Sequence, residues 1–181
     1  MVFKQYLAVW LQRVWPLRWA FSIAVRLFAP TNYVGVMAAV FNDNGQVLLV
    51  EHVFRPDYPW GLPGGWIERG ESPAGALQRE LEEELNLTVD VKRILFCEPQ
   101  GVHRSSSTPR GLGIAYYCRA VTTQLGDIEH ARSAYEVLGA DWIDPARIEW
   151  KLARLHQLAV DLGRKEFELE RVASREPQNI G

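Results

Sequence analysis

The stretch whose reading decides the fold runs from Gly64 to Leu87, GGWIERGESPAGALQRELEEELNL. It predicts a Gly-Gly turn, a short loop and a helix with a dense acidic face. Ser72 followed by Pro73 marks the helix start: a Ser side chain caps free N–H groups, and Pro in the first turn gives up a donor that had no partner there. At 100° per residue, Ala74, Leu77, Leu81 and Leu85 form one apolar stripe, the expected core face. Glu80, Glu83 and Glu84 stand at i, i+3 and i+4 and share a neighbouring face, while Glu82 points elsewhere, toward solvent.

Like charges at this spacing destabilise a helix by roughly 0.2–0.5 kcal/mol per pair, and the single Arg79 does not neutralise three of them. The helix alone allows two readings. One is an ordinary solvated acidic face. The other is a site for a hard divalent cation, since Mg²⁺ and Mn²⁺ prefer clustered carboxylate oxygens and relieve their repulsion.

The rest of the chain sets bounds. Its 181 residues suffice for one domain with additions at the ends. Such a chain buries enough surface to need neither disulfides nor a structural metal. With 20 Lys and Arg against 22 Asp and Glu, the net charge of −2 carries no global signal for nucleic acid. Cys97 and Cys118 lie in apolar stretches without metal-ligand spacing and read as reduced core residues of a cytoplasmic protein.

Residues 1–30 differ in character from the remainder of the chain. They are rich in Trp and aliphatic residues, carry Lys4, Arg13, Arg18 and Arg26, and precede the first acidic residue, Asp43. They predict two helical pieces, about 3–14 and 17–28, interrupted at Pro16. The basic residues break every apolar run long before a membrane span, and no uninterrupted apolar core leads to a signal cleavage site. Tyr33–Phe41 reads as a buried strand, Asn42–Gly45 as a tight turn and Gln46–Phe54 as its partner strand. Strands are expected over Val89–Glu98, Leu112–Val121 and Val137–Ile143. Polar connections cover His103–Gly111 and residues 122–136. A final helix is expected from Pro145 to about Leu162, with a charged tail fraying from Gly163. Strands and helices mix without regular alternation, which favours a mixed sheet with helices on both faces.

The spacing of the opening stretch is specific. Gly65, five residues, Glu71, seven residues, then Arg79-Glu80-Leu81-x-Glu83-Glu84-x-Asn86-Leu87 resembles the Nudix box, G-x5-E-x7-R-E-U-x-E-E-x-G-U, with U a bulky aliphatic. One position departs: Asn86 stands where the family has its last Gly. Asn is the next best residue in a left-handed helix cap, so the departure touches a cap and no ligand.

The resemblance covers roughly residues 31–160 and implies an α/β fold, an α/β/α sandwich with a mixed central sheet. The residues 31–162 would then be the Nudix hydrolase domain, 1–30 an N-terminal apolar-basic helical extension that the family does not explain, and 163–181 a charged tail. The implied activity is Mg²⁺-dependent hydrolysis of a pyrophosphate bond in a nucleoside diphosphate linked to another group, by water that the metal activates. Mn²⁺ is the substitute ion. Glu80, Glu83, Glu84 and the Gly64 carbonyl would bind metal, and Glu71 would pair with Arg79 to orient the helix. The family's general base lies in the box or on a later loop; Glu136, six residues before Trp142, is the candidate there, with Asp141 its competitor.

Substrate contacts carry less signal. His103, Arg104 and Arg110 share a polar loop that either binds phosphates through Arg forks or is a solvated tip. Trp60 and Tyr58 either stack on a base or pack, with packing favoured. His52, His130 and His156 are isolated and receive no role. A Pro about 15 residues past the box, a marker of family members that act on ADP-ribose, is absent, so nucleoside triphosphate, ADP-ribose and nucleotide sugar all stay open as substrates. The competing function is a Nudix-like nucleotide sensor without turnover, which the intact set of Glu71, Arg79, Glu80, Glu83 and Glu84 argues against. For residues 1–30 a protein partner, as a homodimer contact or an intramolecular brace, is favoured over a membrane surface: their basic residues do not sort onto one face.

Overall fold

The computed structural model describes residues 15–28, 32–101, 111–125 and 137–174. The chain divides into two compact units, 1–32 and 33–181. In the first, helix α1 spans Trp15–Phe28, with Pro16 in its first turn. Its Trp19, Phe21, Leu27 and Phe28 side chains are exposed. The expected helix over 3–14 lies outside the described residues. No described helix is long and apolar enough to cross a membrane.

The second unit is a six-stranded mixed sheet with a helix on each face. Its strands are β1 (Tyr33–Phe41), β2 (Val47–His52), β3 (Trp60–Gly61), β4 (Val89–Gln100), β5 (Gly111–Ala120) and β6 (Val137–Ile143). The order is β3-β2-β1-β5-β4, with β6 on β2; β1 and β5 run parallel and the other pairs antiparallel. Helix α2 (Pro73–Leu85) covers one face and α3 (Arg154–Ala173) the other. The period-2 alternation of strands splits β1 between two cores. Val36, Ala38 and Val40 meet Leu77, Leu81 and Leu85 of α2. Met37, Ala39 and Phe41 meet Ala159, Val160 and Phe167 of α3. The expected α/β/α sandwich is the fold observed.

Three local readings are corrected. The Gly-Gly segment is extended. Strands β1 and β2 pair only beside their turn, at Phe41 and Val47, and residues 60–67 enter the gap: β3 pairs with Val50 and Glu51 of β2. The chain then bonds to β1, with Ala38 N–H donating to Pro63 O (2.9 Å), Val36 N–H to Gly65 O (2.8 Å) and Ile67 N–H to Val34 O (3.0 Å). Gly64 has φ +147°, and a Cβ there would overlap the Val36 carbonyl, so only glycine fits.

The last helix begins and ends later than expected. Pro145–Arg147 forms only a 3-10 turn, and α3 continues through Gly163 to Ala173. Gly163 lets the helix approach Phe41 and Ala39. Phe167 stacks on Phe41 at 5.6 Å, and Tyr117 Oη donates to Glu170 at 2.8 Å. One aromatic and one acceptor thus anchor what reads as a charged tail. Cys118 is buried as expected, but Cys97 is exposed, because β4 is a sheet edge.

Candidate active site

The acidic helix is built as its residues predict. Ser72 Oγ accepts from Gly75 N–H at 3.1 Å. Asn86 takes the left-handed conformation (φ 49°, ψ 40°); its N–H donates to Glu82 O and that of Leu87 to Leu81 O, closing the helix end. The buried stripe is Ala76, Leu77, Leu81 and Leu85, with Ala74 half-covered. Each of these Leu side chains contributes on the order of 2 kcal/mol by leaving water. This stripe fixes which way the carboxylates turn.

Arg79 organises that face. Its Nε donates to Glu71 Oε1 (3.0 Å) and its Nη2 to Glu71 Oε2 (3.2 Å), a two-pronged fork. Nη2 also reaches the Trp66 carbonyl at 3.1 Å. Nη1 lies 3.1 Å from Glu80 Oε1 and 3.3 Å from Glu83 Oε2. Glu71 in turn accepts from Glu68 N–H at 3.1 Å. The Arg79 hydrogen bonds, with help from that N–H, hold the Glu71 carboxyl below its ordinary range. Glu71 raises the Arg79 guanidinium further above its own, against a smaller opposing effect of burial. The pair stays ionised wherever the protein is folded near neutrality.

Gly65 passes directly under this face. A Cβ at that position would overlap the Glu80 carboxylate. The ladder to β1 uses the carbonyls of Pro63 and Gly65 and leaves that of Gly64 out. Glu84, alone of the acidic residues on α2, is buried, at 4% exposure, and Glu82 is exposed as expected. Among the described residues no three carboxylate, imidazole or thiol groups converge on one point. Yet Glu80 and Glu83 both direct an oxygen at the same cationic nitrogen of Arg79. The donor set on this face of α2, carboxylate oxygens, is hard, and it suits Mg²⁺ or Mn²⁺.

The structure brings together Gly65, Glu71, Arg79, Glu80 and Glu83; Gly64 adjoins them only along the chain, and Glu84 stands one turn beyond Glu80 on α2, buried. It does not bring Trp60 to them: Trp60 packs against the core on the α3 side and stacks on Trp150 at 4.6 Å. Nor does it bring Asp141. Ala140 and Trp142 pack on the α2 side of β6, so Asp141 between them faces the other way, its carboxylate accepting from Trp142 N–H at 2.7 Å. Glu136, His103, Arg104 and Arg110 lie outside the described residues.

Two residues escape the sequence reading. Trp66 receives an Arg79 hydrogen bond on its carbonyl and meets Tyr33 edge to face at 5.7 Å; main-chain acceptors leave no trace in residue type. His156 is the other: its Nδ1 accepts from Leu62 N–H at 2.8 Å. It falls on the buried stripe of α3 with Ala159, Val160, Gly163 and Phe167, and a His at core spacing is the available signal.

The profile of the NUDIX domain matches residues 31–162. The chain is 25% identical over 130 residues to a MutT-like protein of Streptomyces ambofaciens, covering 71% of this chain and 75% of that one. It is 38% identical over 80 residues to the RNA pyrophosphohydrolase of Pseudomonas putida, covering 40% of this chain and only 49%, about half, of that relative. The crystal structure of a MutT NUDIX hydrolase from Burkholderia pseudomallei shares the fold, with a TM-score of 0.61 at 22% identity over 74% of this chain and 98% of that one. The match over residues 31–162 establishes that the chain belongs to the Nudix family.

Proposed function

We propose that this domain hydrolyses a pyrophosphate bond in a nucleoside diphosphate linked to another group, with Mg²⁺ as cofactor and Mn²⁺ as its substitute. The observation that carries the reading is the Arg79 cluster, in which one guanidinium draws Glu71, Glu80 and Glu83 together above the Gly64–Gly65 backbone. A pure binding module has no need of this whole set.

Glu80, Glu83, Glu84 and the Gly64 carbonyl would hold the ion. Bound there, it would offset the charge of the pyrophosphate and acidify water beside it. The chain's own residues do the rest. Glu71 and Arg79 orient the carboxylate face. Either a glutamate of the box or Glu136 takes the proton from the attacking water; the outward turn of Asp141 speaks against that residue. Arg104 and Arg110 bind the phosphates. Trp60, stacked on Trp150, serves packing. In the N-terminal extension, residues 1–30, the exposed aromatic side chains of α1 dock on protein, as a homodimer contact or a brace. The protein works in the cytoplasm, consistent with two unbonded cysteines.

A screen of nucleoside triphosphates, ADP-ribose and nucleotide sugars with Mg²⁺, read by phosphate release after phosphatase coupling, tests the activity. Release from at least one class is expected. Tight nucleotide binding with no release in Mg²⁺ or Mn²⁺ would instead make the protein a sensor.

A further inference from the structure

The segment that carries Gly64 and Gly65 is tied to β1 on one side and to the opposite layer of the sandwich on the other. That second tie is the Leu62 N–H bond to His156 Nδ1. Leu62 is buried at 1% exposure and His156 at 9%, so water offers neither group a substitute. The imidazole comes this close because residue 61 is glycine: a Cβ there would stand 2.9 Å from Nδ1.

A neutral imidazole has one acceptor nitrogen. Leu62 N–H at 2.8 Å makes the shorter contact, to Nδ1, and on that distance the hydrogen is assigned to Nε2. The Arg55 Nη1 atom 3.3 Å from Nε2 is then a second donor facing the first. Burial and the Arg55 charge both oppose the imidazolium, which would lose the Nδ1 acceptor. His52, packed near the same Gly61, adds a second neutral imidazole to the cluster. The environment thus keeps the imidazole neutral, with two donors competing for its one acceptor and the Leu62 N–H the nearer of them.

We propose that His156 is a positioning residue for the acidic site: its Nδ1 sets the placement of the Leu62–Gly65 backbone and, through Gly65, the seat of the Glu80 carboxylate. The link is short. Pro63 O and Gly65 O are bonded to Ala38 and Val36 on β1 and Gly61 pairs with Val50 of β2, so the Leu62 peptide between them turns toward α3 only as its bond to His156 directs. Gly65 and Glu80 are in contact, which transmits a shift to the carboxylate. The proposal rests on the metal-site reading of the acidic face.

The test uses the full chain with Mn²⁺ alone as probe, its binding followed by electron paramagnetic resonance. Amide hydrogen exchange over residues 62–67 is measured alongside. His156→Leu should weaken Mn²⁺ binding by about tenfold or more, while His156→Asn, whose Oδ1 falls near the Nδ1 position, should stay within about threefold of the parent. Exchange should accelerate in the Leu variant and recover in the Asn variant. A folded His156→Leu protein with parental Mn²⁺ affinity, or equal losses in both variants, would overturn the proposal. Should the Leu variant not fold, the imidazole ¹⁵N spectrum of the parent decides: hydrogen on Nε2 supports the proposal and hydrogen on Nδ1 overturns it. A parent protein that binds no Mn²⁺ would count against the metal-site reading alone, and unchanged exchange in His156→Leu would then overturn the role of His156.

Discussion

Gly65 and Glu80 are in such close contact that a side chain on the first would occupy the place of the second's carboxylate. The adjacent Gly64 is confined differently, by the Val36 backbone and by a φ of +147°. The two glycines therefore separate by experiment. Gly65→Ala meets the far end of a flexible side chain, which moves aside at a small cost in stability but leaves its seat. Turnover should fall by about tenfold or more, with unfolding free energy reduced by about 1–3 kcal/mol at most. Gly64→Ala meets backbone and should cost more stability than that. Thermal melts and steady-state rates on the two variants check the order; parental turnover in Gly65→Ala would detach Glu80 from the site.

Asn86→Gly should leave turnover within a few-fold. Asn86 already holds the left-handed conformation that Gly adopts without strain. Stability should shift by less than about 1 kcal/mol. A large fall in rate would mean that the Asn side chain reaches the substrate.

Acid should weaken the fold before the carboxylates titrate. Burial, with the Arg55 charge, pushes His52 down to about 4 and His156 down to about 3, from an ordinary 6.5. The unfolded chain takes up these protons as pH falls below 6.5 and the folded chain does not, so stability is complete above about 6.5 and is lost on descent toward those values. Each group contributes up to about 1.4 kcal/mol per pH unit within that window. Denaturant unfolding between about pH 7 and 5 should show the decline, and His156→Asn should halve its slope. Stability that holds level over that range would contradict the buried neutral imidazoles.

Deletion of residues 1–28 should change the oligomeric state or lower solubility, because α1 exposes Trp19, Phe21, Leu27 and Phe28. Light scattering on both proteins measures this, and vesicle sedimentation supplies the contrast. Strong binding of the full chain to anionic vesicles at physiological salt, lost on deletion with the oligomeric state unchanged, would assign the segment to a membrane surface instead.

The box was legible because its chemistry is local. Ser72, Pro73 and Asn86 mark the ends of α2, and the Leu stripe fixes which way Glu80, Glu83 and Glu84 turn; all lie within one helix. The sandwich was legible in the way strands and helices mix along the chain. What was not legible depends on partners distant in sequence. The path of residues 60–67 between β1 and β2 is set by main-chain bonds. The last turns of α3 are held by Phe41 and Tyr117, more than 50 residues upstream of their partners. His156 looks isolated in the sequence because its acceptor role is toward an N–H 94 residues away.

In the proposed reaction the face of α2 holds a divalent ion. The most direct measurement is turnover of the best substrate against Mg²⁺ concentration, in the parent and in Glu83→Gln and Glu84→Gln, with circular dichroism to confirm the fold. An amide keeps the shape of the carboxylate and removes its charge. No turnover is expected without a divalent ion, and a loss of at least about 100-fold is expected in each folded variant. Near-parental turnover in either variant, or full activity in the presence of a chelator, would contradict this role of the ion.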